Sequence, residues 1–225
     1  MYSVNVDKLV KTSETQAESL LEITDNIIEG LGNHKAFAVL GGKVDTFKIA
    51  YNIMEKGNKV LFVDGDIRTD VFLGKYKLGK SAKGVLDYIK RPEKNEEIVC
   101  VTNHKNLSLI FTGINEDGVV TDDEIMIFKS LIDKYSKEYD YIVVDSDEDG
   151  TLAAFCGYAA IIAEKETYDE DELNNRVIQL EDKECNVLGV IIREYAKNAF
   201  CSIFSFSRII CYINIHWAHT FTLSA

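Results

Sequence analysis

The chain has 225 residues, 46% hydrophobic and 28% charged, enough for one sizeable domain with a packed core and too few for two comfortable ones. Its formal net charge of −12 argues against non-specific binding to phosphate backbones and makes any partner drawn by long-range attraction a basic one. The five cysteines, Cys100, Cys156, Cys185, Cys201 and Cys211, form no C-x-x-C pair, and no basic N-terminal region leads into an apolar run, so a reduced, cytoplasmic protein is expected.

The first helical start is Ser13-x-x-Gln16, a capping box ahead of Leu20, Ile23, Ile27 and Leu31 on one face. The apolar run Ala36–Leu40 (AFAVL) follows, turns on Gly41 and Gly42, and gives way to a helix expected to begin near Thr46. Further runs are Val60–Val63, Leu107–Phe111, Tyr141–Val144, Ala159–Ala163 and Val187–Ile192, nearly continuous as strands buried on both faces must be. Between them, Thr121-Asp-Asp-Glu124 caps a helix that places Ile125, Phe128, Ile132 and Tyr135 together, and Thr167-x-x-Glu170 repeats the signal before Leu173, Val177 and Leu180. Strands alternating with helices predict an α/β fold, a mostly parallel sheet with helices on both faces in three layers.

With Pro92 its only proline and no internal repeat, residues 1–194 read as a single domain. Residues 195–225 differ: every one of the 37 acidic residues lies at or before Glu194, and the remainder is rich in aromatics. A spanning helix needs roughly 20 uninterrupted apolar residues, and Arg208, Asn214, His216 and His219 interrupt this stretch. Two readings stay open for it, an added edge strand and helix or a tail foreign to the domain, as from a shifted reading frame.

The stretch "FAVLGGKVDTFKIAYNIM" has the layout of a phosphate-binding loop, in which backbone N–H groups at a helix N-terminus face the anion. Such a loop also needs a lysine at the β/γ-phosphates and a Ser or Thr hydroxyl on Mg²⁺. Counted from the helix, Asp45 stands at the last glycine, Thr46 at the lysine and Phe47 at the hydroxyl. Asp45 adds negative charge with no evident cation to offset it, and Phe47 offers no ligand. Lys43 or Lys48 could supply the cation, although Lys48 lies about 200° around the helix from Thr46. An ordinary strand-to-helix turn and a working loop both remain open.

"KVLFVDGDIR" ends a strand in Asp64 and Asp66, and "YDYIVVDSDEDG" ends another in Asp145. In open α/β sheets ligands sit beyond the carboxyl ends of the strands, so these three acids are candidates to meet around a phosphate-bound Mg²⁺.

The motif order resembles the bacterial tyrosine kinase family of capsule and exopolysaccharide biosynthesis, within the deviant-Walker P-loop NTPase group that includes cell-division and partitioning ATPases. "VLFVDGDIR" is similar to the family's second acidic motif, "YDYIVVDS" to its Walker B strand, and "NVLGVIIRE" to its last strand. The resemblance implies that Asp64, Asp66 and Asp145 are the catalytic and metal-binding acids. Gly41, Gly42, Lys43, Thr46 and Lys48 would be the nucleotide-binding positions, and Mg-ATP the cofactor. It further implies self-assembly into a homo-oligomer, and a partner in the cytoplasmic segment of a membrane polysaccharide co-polymerase-like adaptor, which would hold the protein at the inner face of the membrane. The departures are in functional motifs: Walker A is degenerate, Leu21 and Thr24 stand where the family's N-terminal helix carries arginines, and no C-terminal tyrosine cluster is present.

Three functions follow. The first is a tyrosine-kinase-like protein, no longer catalytic, that regulates or scaffolds polysaccharide assembly. The others are an active ATP-dependent protein-tyrosine kinase and a positioning ATPase resembling cell-division or partitioning proteins. The acidic stretch Glu164–Glu172 and the Asp122–Glu124 cluster read as solvated helix starts, with contacts for a basic partner as the alternative.

Overall fold

The computed structural model describes residues 3–67, 83–92, 98–113, 121–195 and 207–212. In chain order they form β1 (Ser3–Val4), α1 (Glu14–Leu31), β2 (Ala36–Leu40), α2 (Lys43–Glu55) and β3 (Val60–Gly65), then α3 (Val85–Lys90), β4 (Val99–Thr102) and β5 (Leu107–Ile110). These are followed by α4 (Asp122–Met126), α5 (Phe128–Tyr135), β6 (Tyr141–Ser146), a short 3₁₀ turn (Ala153–Cys156), β7 (Tyr158–Glu164), α6 (Glu170–Glu181), β8 (Asn186–Tyr195) and β9 (Ser207–Tyr212). The described strands make one sheet in the order β1-β4-β5-β3-β6-β2-β7-β8-β9. It is parallel except where β4 meets β5 and β8 meets β9.

The central strands are apolar on both faces because both are covered. Phe37 and Val39 of β2 join Leu20, Ile23 and Ile27 of α1 and Phe47 and Ile53 of α2 in one core. Ala36, Ala38 and Leu40 of the same strand face the other way, toward Val85 and Ile89 of α3, Phe128, Leu131 and Tyr135 of α5, and Leu180 of α6. Alternate residues of one strand thus feed two cores, which is the expected three-layer α/β arrangement. Each fully buried Phe or Leu contributes about 1.5–3 kcal/mol to that packing.

The capping boxes at Ser13 and Thr121 form as expected. Ser13 Oγ accepts from the Gln16 amide at 3.3 Å while Gln16 Oε1 accepts from the Ser13 amide at 3.2 Å. Thr121 and Glu124 do the same at 3.3 and 2.8 Å. The third start signal is corrected: Thr167 caps nothing, and the cap of α6 is Asp169, whose Oδ1 accepts from the Glu172 amide at 2.9 Å. The reason is that residues after Glu164 first close a turn, Thr167 and Tyr168 N–H both donating to the Glu164 carbonyl, which delays the helix by two residues. The α2 start is corrected in the opposite direction, from near Thr46 to Lys43.

Strands β1 and β4 lie at one end of the sheet, too short or too little apolar to stand out in the sequence. At the other end β9 supplies the edge strand considered for the tail, antiparallel to β8. Arg68 of the acidic motif, and the tail residues 196–206 and 213–225, including Cys201, Asn214, His216 and His219, lie outside the described residues. Cys100, Cys156 and Cys185 are buried free thiols. No described helix is long and apolar enough to cross a membrane.

Candidate functional site

Strands β2, β6 and β3 are adjacent and parallel, so their carboxyl ends open on one edge of the sheet. The register sets Asp64 beside Asp145, and Val39 beside Asp145 on its other flank. Asp66, two residues beyond Asp64, returns to the same side of the chain. The structure therefore brings together the three acids that the sequence placed at separate strand ends.

What stands among them is Lys43. Only Gly41 and Gly42 separate β2 from α2, so the first helical residue sends its side chain across the strand ends. Lys43 Nζ lies 2.7 Å from Asp64 Oδ1 and 3.6 Å from both Asp66 Oδ2 and Asp145 Oδ2. The group is nearly dry: the Lys43 side chain is 12% exposed and that of Asp64 1%. Burial works to lower the Lys43 pKa, but the charges of Asp64, Asp145 and Asp66 and the Asp64 hydrogen bond outweigh it and hold the ammonium form. Burial raises Asp64 despite Lys43, and pushes Asp145 up to about 8.

This has a consequence for stability. Between the unfolded value near 3.8 and the folded value near 8, the native state keeps a proton on Asp145 that the unfolded chain has lost. Stability from this group is complete below pH 4 and falls as pH rises toward 8, by at most about 1.4 kcal/mol per pH unit. Asp145→Asn is expected to flatten that decline in urea unfolding between pH 5 and 8.5. An unchanged slope would show that Asp145 is ionised throughout.

The other loop residues fall into place around this cluster. The Thr46 hydroxyl, fully buried, donates to the Gly42 carbonyl at 2.8 Å, and its side chain also lies within hydrogen-bonding reach of Asp145. Phe47 is a core residue, edge-on to the Phe62 ring with centroids 5.0 Å apart. Lys48 is not among the residues that line the cleft at the strand ends, whereas Lys43 is. The glycines pack against β7. Gly41 sits at φ +92° with its Cα hydrogen directed at the Ile162 carbonyl of β7, and Gly42 lies against the Ile162 side chain.

Asp45, expected to lack a compensating cation, has one. Arg193 of β8 donates from Nη1 to Asp45 Oδ2 at 2.8 Å and from Nη2 to Glu164 Oε1. Arg193 and Glu164 are cross-strand neighbours at the ends of β8 and β7. No local signal in the sequence links Arg193 to an aspartate 148 residues earlier; only the strand order brings them together.

The cleft in front of Lys43 has a volume of about 380 Å³ and is lined by Gly41, Gly42, Lys43, Asp66, Asp145, Ser146 and the acidic run Asp147–Asp149. Asp147 is occupied in its own turn, accepting from the Thr151 amide at 2.8 Å and its hydroxyl at 2.7 Å. A second cleft of about 240 Å³ shares Gly41 and Glu148 and runs past Glu164, Asp169, Glu172 and Arg176.

Mg-ATP is a poor fit to this arrangement. The loop is two residues long, Phe47 stands at the counted hydroxyl position, and an ammonium already lies among the three aspartates. Five carboxylate residues line the mouth, where a polyphosphate would meet repulsion. Among the described residues no group of three or more acidic, His or Cys side chains is arranged to hold a metal ion.

Comparison with known proteins adds the following. No family model matches the chain. The tyrosine-protein kinase CpsD of Streptococcus pneumoniae serotype 4 is 29% identical over 125 residues, 55% of this chain and 53% of that protein. That match therefore spans about half the length of the relative. Its namesake from Streptococcus agalactiae is 21% identical over 201 residues, covering 84% of this chain and 88% of its own. Among solved structures, the kinase domain of the Escherichia coli tyrosine kinase ETK superposes with a TM-score of 0.68 at 15% identity, over 90% of this chain and 92% of that one. The fold is that of the P-loop kinase domains.

Proposed function

We propose, with the chain's kinship to the capsule-associated bacterial tyrosine kinases as premise, that it serves polysaccharide assembly as a non-catalytic regulator or scaffold. The observation that carries this is the ion pairing of Lys43 with Asp64, backed by Asp66 and Asp145. Phosphoryl transfer depends almost wholly on positioning and on charges aimed at the phosphates and metal. Here the charges that would do so are spent on one another. The cytoplasmic side of the membrane is the proposed location. A basic cytoplasmic segment of a membrane adaptor is the proposed partner, and the acidic rim of Asp147–Asp149, Glu164, Asp169 and Glu172 would meet it by charge complementarity.

Calorimetric titration of the purified protein with Mg-ATP is expected to give no binding heat at millimolar nucleotide. Micromolar binding would end this reading.

A second reading, an active protein-tyrosine kinase, draws support from one specific feature: Lys43 points into the cleft while Asp45 is turned aside to Arg193. Its signature would be phosphotyrosine formed on the purified protein with ATP and lost in Lys43→Met.

A further inference from the structure

We infer that the amino-terminal edge of the sheet is a docking surface for the anionic headgroups of a lipid bilayer, carried by Lys35, Lys59, Lys105, Lys134 and Lys137. This edge is the one opposite the acidic cleft, and its contact with lipid involves neither a nucleotide nor an adaptor.

These lysines come from separate elements that the fold brings to one edge. Strands β5, β3, β6 and β2 are neighbours, and their starts are aligned. The Asn106 carbonyl accepts from Val60 N–H, that of Lys59 from Asp140 N–H and that of Lys35 from Ile142 N–H, each at 2.8 Å. At about 4.8 Å per strand, Lys35, Lys59 and Lys105 mark a rim about 15 Å long. Lys134 stands in the last turn of α5 and Lys137 just beyond it, in the connection that enters β6. All five are exposed.

Their contacts leave the charge uncompensated. Lys35 Nζ donates to the Ser136 and Tyr139 carbonyls at 2.9 and 3.1 Å. Lys59 Nζ stands 4.5 Å from the centre of the Tyr139 ring, and Lys134 Nζ 5.0 Å from that of Tyr135. Carbonyls and ring faces hold an ammonium in place without neutralising it. Among the described residues none of the five is ion-paired with a carboxylate, whereas Lys43, Lys56, Arg176 and Arg193 all are. Of the acids on this edge, Asp140 accepts from the Lys59 amide at 2.8 Å and Asp7 from Asn103 at 2.7 Å, while Asp133 and Glu138 offset part of the positive charge. Closing the carboxyl end of α5 accounts for Lys35 and Lys134. It does not account for Lys59 and Lys105, which belong to the connections entering β3 and β5.

The net charge of −12 does not decide what happens here. Strand β3, six residues long, puts about 20 Å between this edge and the acidic mouth. At physiological ionic strength an exposed charge is felt over about 8 Å. A bilayer approached by this edge therefore meets the lysines and not the acids. Lipid headgroups suit such a rim because they move laterally and gather under fixed cations, so flatness and charge suffice and no shaped cleft is required. Long lysine stems let the ammonium groups reach the headgroups.

The test is flotation of the full chain, without nucleotide, on phosphatidylcholine vesicles containing about one-third phosphatidylglycerol at about 0.1 M salt. The wild type is expected to float with these vesicles, to stay behind with pure phosphatidylcholine, and to be released at about 1 M salt. Combining Lys59→Gln, Lys105→Gln and Lys137→Gln is expected to weaken binding at least about tenfold. Combining Lys11→Gln, Lys129→Gln and Lys165→Gln makes the same change of charge away from this edge and is expected to float as the wild type does. No flotation of the wild type, equal flotation on neutral vesicles, or equal losses in the two variants would overturn the inference. Should the first variant fail to fold, lysine acetylation of the wild type with peptide mass mapping decides. Anionic vesicles are expected to slow labelling of Lys59, Lys105 and Lys137 and to spare Lys165; uniform slowing overturns the assignment. Capture on immobilised polyglutamate with no flotation would give the edge to an acidic protein instead and overturn the lipid assignment.

Discussion

Arg193→Met is expected to lower the unfolding free energy by about 3–5 kcal/mol, toward the lower figure because the pair is not fully dry. The Arg193 side chain is 17% exposed and that of Asp45 9%. Methionine keeps an unbranched apolar stem, shorter than arginine's, and removes the guanidinium, so Asp45 is left as a carboxylate in the first turn of α2 with no counter-charge, and Glu164 loses its partner at the end of β7. The helix N-terminus offsets some of this, since an acid in the first turn is favoured by the macrodipole by about 0.3–1 kcal/mol. Urea unfolding measures the loss. A second variant carrying Arg193→Met and Asp45→Leu separates the two contributions, because replacing both charges by apolar groups removes the uncompensated carboxylate. It is expected to recover at least half of the stability. A cost below about 1 kcal/mol for Arg193→Met would mean the bridge behaves as a surface pair and that Asp45 is tolerated for another reason.

Gly41→Ala comes next, at about 3 kcal/mol. A Cβ at this position would lie 2.3 Å from the Ile162 carbonyl oxygen and 3.3 Å from its carbon, backbone atoms of a central strand that have no rotamer to escape into. The backbone at φ +92° adds conformational strain of its own, on the order of 1–2 kcal/mol for an L-residue. Gly57 is the internal control. Its φ is +93°, yet nothing lies within 4 Å of its would-be Cβ, so Gly57→Ala carries the strain and not the collision. The difference between the two variants, expected near 2 kcal/mol, isolates the close approach of the turn to β7. Equal costs would show that the turn yields freely, and the reading of Gly41 as a packing glycine would have to be given up.

Both predictions concern the same structural fact. Two features that looked like remnants of a phosphate loop, a pair of glycines and an aspartate at the head of a helix, are held by interactions with the neighbouring strands β7 and β8. The glycines meet Ile162 and the aspartate meets Arg193. With a loop two residues long, the helix starts close to the end of β2, and Gly41 and Asp45 are in contact with β7 and β8.

Much of this was legible in the sequence. The runs at 36–40, 60–63, 107–111, 141–144, 159–163 and 187–192 lie at strands β2, β3, β5, β6, β7 and β8 because strands covered on both faces must be apolar throughout, a pattern that local reading detects. Ser13 and Thr121 announce their helices because a cap is a contact between residues three apart. Strand-end acids announce a site for the same reason: Asp64, Asp66 and Asp145 follow directly on recognisable strands. Thr167 shows where this reasoning fails. A turn closed on the Glu164 carbonyl and the cap at Asp169 are both local, and both compete with the same four-residue signature.

What the chain's order of residues determined by itself, then, is the layered α/β framework, its caps and the acids at its carboxyl edge, since each depends on neighbours a few positions apart. Tertiary structure alone decided which charges meet: Lys43 with Asp64, Asp66 and Asp145, and Arg193 with Asp45 and Glu164. Those partners are tens to more than a hundred residues distant along the chain, and they come within 4 Å only because parallel pairing sets particular strands side by side in a particular register. Coulomb energy depends on separation in space, and a linear pattern does not contain that distance.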